Sequence, residues 1–147
     1  MNLIELGGDE KKLLEAALKA LENAYVLWGC RVGAAVQAED GEIYAGCNVE
    51  SWISGLGICA ERCAIHHAVI HGNRKIRKIA VVIEGNYMDK AAPCGACLQY
   101  IKDFGEKHTQ IIMAKAENGK IKPETVQAKT VEEMLPYAIN WRDKRSV

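Results

Sequence analysis

The sequence predicts an α/β sandwich, with helices laid on a mixed sheet. Three observations carry this. Helical and strand patterns alternate along the chain in the order α-β-β-α-β-α-β-(β)-α. The runs KIAVVIEG (78–85) and QIIMA (110–114) are short and β-branched, as in strands covered on both faces. No internal repeat, low-complexity stretch or linker interrupts the 147 residues, so a single domain spanning 1–147 is expected.

Taken in order, residues 9–28 read as an amphipathic helix, because Leu14, Ala17, Leu18, Leu21, Tyr25 and Trp28 recur at helical spacing after a capping Asp9. Two apolar runs flank Asp40-Gly41, a hairpin signal over 32–49. Residues 50–57 form a loop. The stretch ICAERCAIHHAVIHG is a helix, apolar nearly all round and therefore expected to be buried, stopped by Gly72-Asn73. A strand over 78–85, a loop over 86–93, a helix over 94–104 and a strand at 110–114 follow. Asn118-Gly119 turns the chain into a weaker strand within 120–128. Thr130 and Glu133 have capping-box spacing and open a last short helix.

Composition narrows the function classes. Nineteen basic residues balance nineteen acidic ones, so the chain lacks the basic footprint of a nucleic-acid binder. The small cluster Arg74, Lys75, Arg77 and Lys78 reads as a solvated turn. The N-terminus has no basic leader followed by an apolar run, and no stretch is apolar enough to span a membrane. Six cysteines without a secretory leader suggest the reducing cytoplasm, where cysteine points to metal or catalysis rather than disulfides.

The chemistry concentrates in two short elements. Cys59-Ala60-Glu61 opens one helix, and Pro93-Cys94-Gly95-Ala96-Cys97 opens another. C-x-E followed by P-C-x-x-C is the three-cysteine form of the zinc-deaminase pattern. Cys94 and Cys97 are three apart, so one helical face presents both sulfurs to one ion. Cys59 supplies a third ligand, and the fourth position stays open for water. Cys59 and Glu61 are two apart and would diverge within a helix, but at a helix mouth both reach the space in front of it. The helix N-terminus also favours the thiolate. Glu61, outside the ligand set, is the expected general base. Arg62 stands beside the site and is a candidate to offset the charge of three thiolates.

Other patterns carry less. Cys30, Cys47 and Cys63 read as small buried hydrophobes. Cys63, His67 and His71 share one helical face and are the candidates for a structural zinc, although a helix tolerating polar residues explains them as well. Gly55-x-Gly57-x-x-Ala60 mimics a dinucleotide fingerprint, but no strand feeds it.

From about Tyr25 to Pro136 the chain resembles the homotetrameric cytidine deaminase family, through RVGAA (31–35), GCNVE (46–50), GLGICAER (55–62), PCGACLQ (93–99) and TVEEMLP (130–136). The resemblance implies a three-layer α/β/α sandwich around a five-stranded mixed sheet. It implies one zinc ion per subunit on Cys59, Cys94 and Cys97, with Glu61 shuttling protons, and deamination of cytidine or deoxycytidine in pyrimidine salvage. It further implies that Asn48 and Glu50 bind the ribose 3′-hydroxyl, that the Ala60 backbone contacts the base, and that active sites form between subunits of a homotetramer. The expected partner is a small nucleoside, with neither nucleic acid nor membrane.

Two departures bear on substrate. Cys30 stands near the place where the family carries an aromatic, and YAINWRDKRSV replaces the family's Ser-Phe-Gly-Pro ending, leaving Tyr137 or Trp141 to stack on the base. That tail resembles the tail of blasticidin S deaminases, so a modified cytosine nucleoside is the alternative substrate. Glu50 and the eleven positions from Asn48 to Cys59 fit the cytidine enzymes instead. Two further alternatives are nucleic-acid editing by the same chemistry, disfavoured by the neutral charge, and a non-catalytic zinc-stabilised protein, which would have no use for Glu61.

Overall fold

The computed structural model describes residues 5–85 and 88–139. Helix α1 (Gly8–Leu21) precedes the hairpin β1 (Val32–Ala38) and β2 (Ile43–Cys47). Helix α2 (Ala60–Ile70), strand β3 (Ile76–Glu84), helix α3 (Gly95–Phe104) and strand β4 (Gln110–Glu117) follow. The chain closes with β5 (Lys120–Ile121), β6 (Gln127–Thr130) and α4 (Val131–Met134).

The sheet runs β2-β1-β3-β4, with β5 and β6 both on the outer edge of β4. Strands β3 and β4 are parallel, Val81 lying opposite Met113, and the other strand pairs of the sheet among the described residues are antiparallel. The expected fifth position is therefore filled by two short strands. β5 pairs with the end of β4 and β6 with its beginning, making six strands among the described residues. Pro123, which cannot donate to a ladder, opens the 3-10 turn Pro123–Thr125 that separates them.

Alternation along β3 makes the three layers. Ile79, Val81 and Ile83 join Ala64, Ile65, Leu98 and Ile101 in one core beneath α2 and α3. Ala80 and Val82 join Leu13, Leu14, Ala17 and Leu21 in a second core beneath α1. Two glycines permit the closest helix approaches. A Cβ on Gly33 would lie 1.9 Å from the Ala17 carbonyl oxygen, and one on Gly46 would lie 2.5 Å from the Ala64 nitrogen. α1 and α2 thus press onto opposite faces of the same hairpin.

Three local expectations are corrected. α1 ends at Leu21, because Tyr25 pairs with the segment after β2: its N–H donates to the Asn48 carbonyl and its carbonyl accepts from the Glu50 N–H. Gly7, rather than Asp9, is the N-cap, and Asp9 lies in the first turn. α2 is not buried all round. It lies on the sheet by one face and leaves His66, His67 and Ile70 exposed on the other. The capping box at Thr130 and Glu133 is present as expected.

Candidate metal and active site

Cys59 is the N-cap of α2 and Cys94 the N-cap of α3. Neither helix has a side-chain cap, so both sulfurs remain in front of their helices. Cys97, one turn into α3, is buried, and the three sulfurs lie within 4.8 Å of one another. His66 Nε2 and the Tyr100 hydroxyl, 2.7 Å apart, tie α2 to α3.

The cluster has one strongly acidic thiol. Cys59 is pulled down to about 5, first by a hydrogen bond from Cys97 and then by Arg62, whose Nη2 donates to its sulfur at 3.5 Å. Cys97 is pushed up by donating to that thiolate and by burial. The Arg62 Nε is buried without a hydrogen-bond partner among the described residues, while its Nη2 meets the Cys59 sulfur. Three close sulfurs and an arginine bonded to one of them fit a zinc ion with three protein ligands.

Glu61 follows in the first turn of α2, only 5% exposed. Burial raises its pKa, and the neighbouring Cys59 charge adds to the rise. Ala60, fully buried, places its backbone between ligand and acid.

Asn48 and Glu50 flank Val49, whose backbone pairs with Ile58 just before Cys59, so this segment forms the rim of the site, and both are already engaged. Asn48 Oδ1 accepts from the Val32 N–H at 2.8 Å, and Nδ2 donates to the Cys30 carbonyl at 2.8 Å. Glu50 accepts from the N–H groups of Leu27, Trp28 (2.7 Å) and Gly29 (3.1 Å). These backbone donors hold its carboxyl below the ordinary value. The segment 27–29 is thus an anion-binding nest filled by the chain's own carboxylate. Sequence reasoning missed it, having put Trp28 in a helix. It also missed the edge-to-face contact of Trp28 and Trp52, ring centres 5.5 Å apart, at the same rim. Tyr137 is fully exposed, while Trp141 lies outside the described residues.

Residues 8–114 match the family described as the cytidine and deoxycytidylate deaminase zinc-binding region. The chain belongs to this family. It is 36% identical to the cytidine deaminase of Sporosarcina psychrophila over 92% of this chain and 94% of the relative. It is 28% identical to the blasticidin-S deaminase of Bacillus cereus, over 92% of this chain and 96% of the relative. The crystal structure of the cytidine deaminase from Burkholderia pseudomallei superposes with a TM-score of 0.76 at 35% identity, over 87% of this chain and 97% of that one. The three-layer fold and the zinc-binding deaminase assignment both stand on these likenesses. Among the described residues no helix is long and apolar enough to cross a membrane.

Proposed function

We propose that this chain hydrolyses the exocyclic amine of cytidine or deoxycytidine, with Cys59, Cys94 and Cys97 holding zinc and Glu61 moving the protons. The observation that carries the reading is a buried carboxyl beside three converging sulfurs and outside their set. Zinc held there supplies a Lewis acid that makes water a nucleophile near neutral pH.

The chain's own residues do the rest. Glu61 takes a proton from the attacking water, whose oxygen bonds to the ring carbon bearing the amine. It delivers that proton to the ring nitrogen, then takes the second proton from the hydroxyl now on the ring carbon and passes it to the leaving amine; the C–N bond breaks, and ammonia and the uracil nucleoside remain. A raised pKa suits a group that must both accept and return a proton. Arg62 offsets thiolate charge. The Ala60 backbone meets the base, and Asn48 and Glu50 meet the ribose hydroxyl through the hydrogen-bonding capacity the loop leaves them. Tyr137 or Trp141 covers the base.

The active unit is a homotetramer with sites between subunits. Tyr25, Trp28, Val49, Trp52 (76% exposed), Ile53 and Leu56 support it, since so much exposed apolar surface on adjoining loops marks an interface. Six free cysteines suit the reducing cytoplasm.

The test mixes zinc-loaded protein with cytidine, deoxycytidine and blasticidin S in parallel, following absorbance and ammonia, with Glu61→Ala as control. Turnover of cytidine or deoxycytidine, lost in the control, is expected. Turnover of blasticidin S alone would move the substrate to the second reading, which the Bacillus cereus relative favours. Zinc without turnover of any of the three would overturn the assignment. Sedimentation of the same sample reads the oligomeric state.

A further inference from the structure

We propose that His67 and His71 form a second metal site, selective for nitrogen-seeking divalent cations such as Ni2+ and Cu2+, on the surface end of α2. The two are four positions apart, His71 being the C-cap, and both are exposed. They lie eight and twelve residues beyond Cys59, so at about 1.5 Å per residue the site is some ~12–18 Å from the sulfur cluster.

The protonation of both rings follows from their partners. His67 Nδ1 is 2.9 Å from the Ala45 carbonyl oxygen, and His71 Nδ1 is 2.8 Å from the His67 carbonyl oxygen. A carbonyl oxygen only accepts, so each Nδ1 carries the hydrogen and each neutral ring keeps its lone pair on Nε2. Metal-bound imidazoles are oriented in this way, one nitrogen donating to a carbonyl while the other ligates.

The spacing agrees. The ring centroids are 4.9 Å apart. Two imidazoles bound through nitrogen at about 2.0–2.1 Å to one ion place their ring centres on the order of 5 Å apart. The same i, i+4 histidine pair on a helix supplies two ligands in the H-E-x-x-H zinc motif.

The rings are also held in place. Tyr44 packs against both, with centroids at 5.3 and 5.2 Å. Its hydroxyl donates to Asp40 at 2.8 Å and accepts from the buried Asn73 amide at 3.1 Å. A strand residue, anchored by hydrogen bonds to Asp40 and to the buried Asn73, thus packs against both helix-borne rings. Water or an outside donor would complete the coordination, and imidazole suits nickel, copper and zinc over magnesium or calcium.

The test titrates zinc-loaded protein with Ni2+, by calorimetry and by paramagnetic broadening of the imidazole resonances. One saturable equivalent per chain beyond the resident zinc is expected, broadening His67 and His71 while zinc content stays constant. His67→Ala and His71→Ala should each weaken binding at least tenfold with unchanged circular dichroism. His66→Ala, next in sequence but turned toward Tyr100, should not weaken it. Binding that survives both substitutions, Ni2+ uptake matched by zinc loss, or no saturable uptake would each overturn the proposal.

Discussion

Cys59 and Cys94, the N-caps of their helices, keep their side chains clear of capping, whereas Asn48 and Glu50 use theirs to hold the backbone between Leu27 and Val32. The floor of the site is local. Two helix mouths, each within five residues, set the ligands and the acid. The rim is tertiary. Glu50 finds its donors 21 to 23 positions earlier in the chain. On the proposed function the floor residues carry the chemistry, while Asn48 and Glu50 also hold the loop in place.

The largest effect should come at the floor. Glu61→Gln keeps the shape and removes the proton acceptor, so kcat should fall about 100- to 10,000-fold with zinc content unchanged. Rate and metal content measured on one sample check it. Loss of zinc along with rate would show that Glu61 also builds the site, and the contrast with the rim would fail.

Arg62→Ala comes next. Its Nη2 bond to Cys59 is one of the forces lowering that thiol, and outer partners of metal ligands are typically worth about 10- to 100-fold in metal affinity or activity. A competitive chelator titration should show weaker zinc retention in the variant. Unchanged retention and rate would reduce Arg62 to a packing residue.

This division also explains what could be read from the sequence alone. Cysteines at i and i+3 and an acid two after a cysteine at a helix mouth constrain each other through helix geometry alone, so Cys59, Glu61, Cys94 and Cys97 were legible. So was the layered fold, through the alternation of elements. Which residues of the KIAVVIEG run (78–85) face which layer was not, because a strand covered on both faces is apolar throughout. Tyr25 and Trp28 keep helical spacing with Leu21, yet leave the helix to meet Asn48 and Glu50. That pairing, from distant residues, wins over periodicity. The sixth strand was missed because Pro123 splits one expected strand in two.

At the rim the test is stability rather than rate. Asn48→Ala removes two partly buried hydrogen bonds that fasten Cys30 and Val32, which should cost about 1–3 kcal/mol in urea unfolding and raise KM as well. A raised KM with stability intact would mean that Asn48 serves only the sugar, and floor and rim would no longer differ.

The smallest effect is the most discriminating, because it reads Glu50 without substrate. Its folded carboxyl sits below the ordinary 4.5, held there by the N–H groups of Trp28, Leu27 and Gly29. A carboxyl depressed in the folded state binds fewer protons there than when unfolded. Its contribution is thus fully present above 4.5 and is lost as pH falls through the lower folded value. Glu50→Gln has no such titration. The gap in unfolding midpoint between wild type and Glu50→Gln should therefore stay constant from neutral pH down to the ordinary carboxylate range and close below it. A gap that ignores pH would mean the nest 27–29 does not recognise the charge. Glu50 would then hold the loop by hydrogen bonds alone, without its charge.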